Sequence, residues 1–191
     1  MSKAIREAMR KDNRSGSTLK AKFCNRPDAP MVVDFIEKIM PRVWNHQPEV
    51  KVWIVGKDPP PRLKAYTENA QINVTGTVED IRPYLKKATI SASPIPYGVG
   101  IQNKVLEAMA CATPVVASRQ AVSALNIRAD EEVMVASDAD EFAEKMLALF
   151  DSTELRSEVG RAGRKYVERN HDWGMVARQL SEIYSQTLAR N

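Results

Sequence analysis

Two glycines one residue apart, Gly98 and Gly100, stand just ahead of a lysine and a glutamate that lie three apart, Lys104 and Glu107. They fall inside residues 91–118, SASPIPYGVGIQNKVLEAMACATPVVAS. There an apolar strand gives way to a proline- and glycine-rich loop and then to a helix over about 102–111. Glycines let a backbone approach a ligand closely and accept positive φ. The free amides of a helix N-terminus behind such a loop form an anion site, suited to a phosphate. On the helix Lys104 and Glu107 share one face, while Val105, Met109 and Ala108 turn toward a sheet. Spacing leaves two readings open. In one, a diphosphate sits at the loop, Lys104 lies beside it and Glu107 accepts hydrogen bonds from vicinal hydroxyls. In the other, Lys104 and Glu107 are a solvent-facing pair worth roughly a few tenths of a kcal/mol, and spacing by itself favours this one. Neither a Walker lysine–serine pair nor a GxGxxG run is present, so the stretch is neither a P-loop nor a dinucleotide fingerprint.

The elements that must position these residues follow from periodicity. Val32, Phe35, Ile39 and Val43 recur at helical spacing, with Ile36 and Met40 widening the stripe, and Pro48 ends that helix. Residues 50–56, VKVWIVG, are β-branched and aromatic between proline clusters and read as a buried strand. A short helix over 61–67, a strand over 71–76, a helix over 80–88 and a strand over 89–93 follow. Residues 114–118 and 132–136 are short strands, and residues 19–24 give a weaker strand signal. Three helices close the chain: 139–150, one with Leu155, Val159, Ala162 and Tyr166 on a stripe, and one marked by Trp173, Val176, Leu180, Ile183 and Tyr184. Short apolar strands alternating with amphipathic helices predict an α/β, Rossmann-like parallel sheet with helices on both faces. In such sheets a ligand sits beyond the carboxyl ends of the strands, here the loops after Val55, Val74, Ser93 and Ala117.

Composition bounds the rest. The 191 residues are 43% hydrophobic and 27% charged, an ordinary globular mixture of one domain or one domain plus an arm. Residues 1–26 carry eight bases and two acids; the net charge of +4 therefore leaves −2 for the remainder. Residues 1–18 read as a basic flexible arm and 19–191 as the folded domain. A basic arm fits nucleic acid or anionic lipid in principle. With no aromatic among the bases before Phe23, no nucleic acid is expected, and a solvated tail or a peripheral membrane contact remains. No apolar run is long enough for a spanning helix, and the first residues lack a secretory pattern. Two cysteines, Cys24 and Cys111, and two histidines, His46 and His171, do not have zinc-site spacing. The expected location is cytoplasmic. Trp44, Trp53 and Trp173 read as core, Cys111 as a small buried hydrophobe, and Asp172 as a helix cap. Glu154, Arg156, Glu158 and Arg161 read as a solvated face.

The run GVGIQNKVLEAMACATPVVAS resembles the signature of the C-terminal, donor-binding domain of GT-B-fold retaining glycosyltransferases, the group 1 family. VKVWIVGKDPPPRLKAY, INVTGTVEDIRPYLKKATISASP and the closing helices resemble the segments around it. The similarity covers about residues 25–188 and lies nearest the exosortase-associated sugar transferases. By this resemblance Glu107 matches the second glutamate of a Glu-x7-Glu motif that binds ribose hydroxyls. The loop 98–102 (Gly98, Gly100, Ile101 and Gln102 among its residues) faces sugar and diphosphate. Thr77 and Val78 match the turn against the base; Lys104 is a candidate phosphate contact, although the family's usual basic pair lies further upstream, and Arg26 fits the subgroup's first loop and is a candidate for the same charge. Three positions depart from the pattern: Val99 replaces the first glutamate, Ala112 stands where glycine is usual, and Ala21 where the first-strand glycine turn belongs. No residue is a convincing general base; Tyr97 and Asp58 are the nearest polar side chains. The resemblance implies no metal or other cofactor, a nucleotide sugar as donor, and an N-terminal acceptor domain as partner. A donor-binding half of a glycosyltransferase is thus expected. A non-catalytic or vestigial nucleotide-sugar-binding domain, or a protein or membrane interaction module, is the alternative.

Overall fold

A computed structural model describes residues 20–24, 29–57, 59–97, 100–171, 174, 181–182 and 185–188. The basic arm, Arg26, Asp58, Gly98, Val99, Asp172, Trp173 and most of the third closing helix lie outside the described residues.

Six parallel strands make one sheet in the order β3-β2-β1-β4-β5-β6. They are β1 (Lys20–Cys24), β2 (Lys51–Val55), β3 (Ile72–Gly76), β4 (Ile90–Ser93), β5 (Val115–Ser118) and β6 (Met134–Ala136). All five pairings are parallel. This is the doubly wound order, and the chain reverses its direction of winding between β1 and β4. Helix α1 (29–46) joins β1 to β2. Helix α2 (Pro61–Lys64) runs on into a 3₁₀ turn, Ala65–Glu68. Helices α3 (Arg82–Lys87) and α4 (Asn103–Ala110) precede β4 and β5, and α5 (Ala139–Asp151) and α6 (Thr153–Asn170) follow β6. The predicted α/β architecture and every predicted element over residues 31–170 are present, with boundaries moved by one to three residues.

The helices divide between the two faces. On one, α1 packs on α5. Phe35 meets Phe142 edge-on at 6.1 Å, Arg42 pairs with Asp140, and the Gln47 amide donates to Asp151 at 2.9 Å. Helix α1 holds a π segment, Phe35–Ile39, closed by a bond from the Met40 amide to the Phe35 carbonyl. The extra residue in that turn brings both Phe35–Ile36 and Ile39–Met40 inward, so the stripe is wider than a regular helix would give. On the other face α6 packs on α4.

Three expectations are corrected. The stripe of α6 was placed on Leu155, Val159, Ala162 and Tyr166; the buried line is Val159, Gly160, Gly163 and Tyr166, because glycine backbone comes closest to the body. Arg156 is not part of a solvated face. Its guanidinium donates to the carbonyls of Leu149 (2.6 Å) and Phe150 (2.9 Å), satisfying the C-terminus of α5. Trp44 and Trp53 are half-buried. The indole of Trp44 donates to the Val50 carbonyl at 2.9 Å, and Trp53 leans on Tyr84 at 6.2 Å. An unforeseen buried carboxylate, Glu132, accepts from the Arg128 amide and from the guanidinium groups of Arg128 and Arg169, fastening α6 to the turn before β6.

The end of α4 is a Schellman motif. The Thr113 amide donates to the Ala108 carbonyl at 3.0 Å and the Ala112 amide to Met109 at 2.8 Å, with Ala112 at φ 56°. An alanine in this left-handed position carries roughly 1–2 kcal/mol of strain. Ala112→Gly is therefore expected to stabilise the fold by about 1 kcal/mol, after the extra backbone entropy of glycine is subtracted. Thermal unfolding should show a midpoint roughly 2–4 °C higher; a lower midpoint would show that the strain is absorbed elsewhere.

Candidate functional site

The buried Gly56 and the exposed Lys57 follow strand β2, and strand β3 ends in Gly76, whose φ of 70° turns the chain sharply. That turn sends residues 77–82 across the carboxyl edge of the sheet. Helix α4 brings Glu107 to the same edge from behind. Together Gly56, Lys57, Thr77, Val78, Glu79, Asp80, Ile81, Arg82 and Glu107 line an open cleft of about 530 Å³. Its place beyond the strand ends is where the sheet topology puts a ligand.

Glu107 decides what the cleft can do. One of its carboxylate oxygens, Oε2, is buried and has no hydrogen-bond partner, and among the described residues no ion pair holds the side chain. A buried carboxylate oxygen without a donor is expensive, so in proteins such groups are nearly always matched. Because Glu107 also lines the open cleft, a donor that enters the cleft can meet this oxygen. The solvent-facing Lys104–Glu107 pair that spacing favoured does not form. Lys104 is half-buried on the same helix and is not part of the cleft lining.

Part of the glycine loop lies within the described residues. Gly100 has φ 76°, a conformation that L side chains rarely adopt, and nothing lies within 4 Å of where a Cβ would stand. Ile101 is exposed and Gln102 is the N-cap of α4, with no side-chain bond closing the helix start. Helix α4 therefore begins at Asn103, one residue later than expected, and its first amides are left without a side-chain cap. The loop's first residues are held down. The Ser118 hydroxyl donates to the Ile95 carbonyl at 2.5 Å and accepts from the Ala121 amide. Tyr97, by contrast, is 64% exposed.

Of the residues predicted from sequence, the structure brings Glu107, Thr77 and Val78 into one cleft. Gly100, Ile101, Gln102 and Lys104 are not part of its lining, and Gly98 and Arg26 lie outside the described residues. Sequence reasoning missed Lys57, Glu79, Asp80 and Arg82. Asp80 accepts from both the Arg82 amide (2.9 Å) and its Nε (2.9 Å). These bonds from Arg82 hold the Asp80 carboxyl below the usual carboxylate range. The Asp-x-Arg spacing behind a β-strand turn was the available signal. No cluster of metal-ligating side chains occurs among the described residues, and none of their helices is long and apolar enough to cross a membrane.

Comparison with known proteins adds to this geometry. A family model described as "Glycosyl transferases group 1" matches residues 26–152. A GDP-mannose-dependent monoacylated alpha-(1-6)-phosphatidylinositol monomannoside mannosyltransferase of Corynebacterium glutamicum is 29% identical over 164 residues, 78% of this chain and 42% of that protein. A phosphatidyl-myo-inositol mannosyltransferase of Mycobacterium leprae is 28% identical over 174 residues, 87% of this chain and 46% of the relative. The chain thus spans less than half the length of these two relatives. Among solved structures, the C-terminal domain of a group 1 family glycosyl transferase (LpcC) from Francisella tularensis superposes with a TM-score of 0.70 at 18% identity. The match covers 90% of this chain and 95% of that one. Anabaena HepE in complex with UDP gives a TM-score of 0.76 at 14% identity, over 97% of this chain and 54% of that one.

Proposed function

The chain belongs to the group 1 glycosyl transferases, and from that premise we propose that it is the donor-binding half of a retaining glycosyltransferase, holding a nucleotide-diphosphate sugar. The observation that carries this reading is the buried, unpartnered Oε2 of Glu107 in a cleft at the strand ends. Glu107 accepts hydrogen bonds from the vicinal ribose hydroxyls. Thr77 and Val78 flank the base. The diphosphate lies along residues 98–102, where Gly98 and Gly100 let the backbone close on it and the amides of Ile101 and Gln102 open helix α4. Lys104 and Arg26 add positive charge.

Transfer expels a nucleoside diphosphate, so negative charge grows on the leaving phosphate oxygen. Preorganised amides and cations aimed at that oxygen stabilise the transition state more than the ground state, without a metal. The acceptor and the remaining catalytic groups come from an N-terminal domain, a partner that the chain's share of its relatives supports. The relatives' phosphatidylinositol names support an acceptor at a membrane surface, with this domain on the cytoplasmic side and in peripheral contact at most.

Calorimetric titration with GDP, UDP and ADP tests the reading. At least one should bind more tightly than about 1 mM, near −4 kcal/mol. Failure of all three at millimolar concentration would leave only the fold in common with the enzymes.

A further inference from the structure

We propose that Glu79 and Arg82 select guanine as the base of the bound nucleotide, an inference that rests on the nucleotide reading of the cleft. Glu107 and residues 77–82 line the same cleft. In this proposal the ribose lies on Glu107 and the base is read by residues 79–82 of the same lining. Two side chains there have groups to offer. The Glu79 carboxylate is exposed and has no hydrogen-bond or ion-pair partner among the described residues. Arg82 bonds to Asp80 through its amide and Nε, which leaves its two terminal amino groups unused among the described residues.

The cleft lining therefore holds both a carboxylate acceptor, Glu79, and a cationic donor, Arg82. Guanine offers the complement, with two neighbouring donors, N1–H and the N2 amino group, next to the O6 acceptor. A carboxylate takes both donors at once, and such charge-assisted paired bonds are the strong ones. Arg82 then donates to O6. Uracil offers acceptor, donor, acceptor, so a carboxylate that takes N3–H must also face a carbonyl oxygen. Adenine sets the N1 lone pair against the same carboxylate. A site built to bond a particular edge rejects the others because its own polar groups are left unpaired.

Titration of the full chain with GDP, IDP, UDP and ADP at one ionic strength tests this. GDP should bind at least roughly tenfold more tightly than UDP or ADP, the scale of one good bidentate base contact. IDP, which keeps N1–H and lacks the amino group, should fall between. Glu79→Gln changes an exposed side chain, so the fold should be unaffected; it should weaken GDP about tenfold and leave UDP within about twofold. UDP or ADP binding as tightly as GDP, or a Glu79→Gln chain that keeps its preference for GDP, overturns the guanine assignment and leaves the nucleotide reading standing. No binding by any of the four overturns both.

Discussion

Gly160→Ala is expected to lower the unfolding midpoint by about 10 °C. Helix α6 crosses the C-terminal turn of α4 so closely that a Cβ built on Gly160 stands 2.3 Å from the Ala112 carbonyl oxygen and 3.2 Å from its carbon. Neither atom can swing away. The Ala112 carbonyl belongs to the Schellman turn, whose Thr113 amide bonds back to Ala108 and whose Thr113 hydroxyl donates to the Leu85 carbonyl at 2.8 Å. Relief must come from moving α6, and that disturbs the buried Tyr166 and the clamp of Arg169 on Glu132. Overpacking of this kind costs roughly 3 kcal/mol. Glu158→Ala, on the exposed side of the same helix, is the control and should stay within about 0.5 kcal/mol. Equal midpoints for the two variants would mean that α6 does not lie on the α4 turn.

Glu107→Gln is expected to weaken nucleotide binding by about 1–3 kcal/mol, a factor of roughly 5 to 150, without lowering stability. The two effects separate because of where the carboxylate stands. In the free protein Oε2 is buried and no donor meets it, so the fold gains nothing from its charge. With a ribose present the carboxylate accepts two hydroxyl donors, and the amide of glutamine offers only one acceptor atom while turning a donor toward the other hydroxyl. Calorimetry should therefore show the lost affinity while thermal unfolding shows an equal or higher midpoint. A residue kept only for packing would give the reverse, a lower midpoint with affinity intact, and that pattern would remove Glu107 from the site.

Much of the fold was legible because its signals are local. The β-branched run of residues 50–56 declares a buried strand, and the turn residues between periodic segments mark where each element stops. Alternation of strand and helix then leaves few topologies, since crossovers between parallel strands are right-handed. The boundaries are harder, as with α4, where Gln102 serves as N-cap and not as the first helical residue. Gly160 and Gly163 on α6 were not legible. Glycine inside a helix ordinarily reads as a weak point, and only the approach of Ala112 and Glu132 gives these two a purpose.

The site divides in the same way. By itself the sequence determined that a glycine loop leads into a helix bearing Lys104 and Glu107, and that the ligand belongs beyond the carboxyl ends of the strands, because loop chemistry and strand order are written in neighbouring residues. Spacing left open whether those two side chains serve a site or pair with each other in solvent. The packed fold puts Glu107 in the cleft lining without a Lys104 partner and brings Lys57, Glu79 and Arg82 to it from beyond β2 and β3, some 25 to 50 residues away along the chain. Contacts of that separation depend on the angle at which a helix lies on a sheet, and that angle is set by the whole core at once.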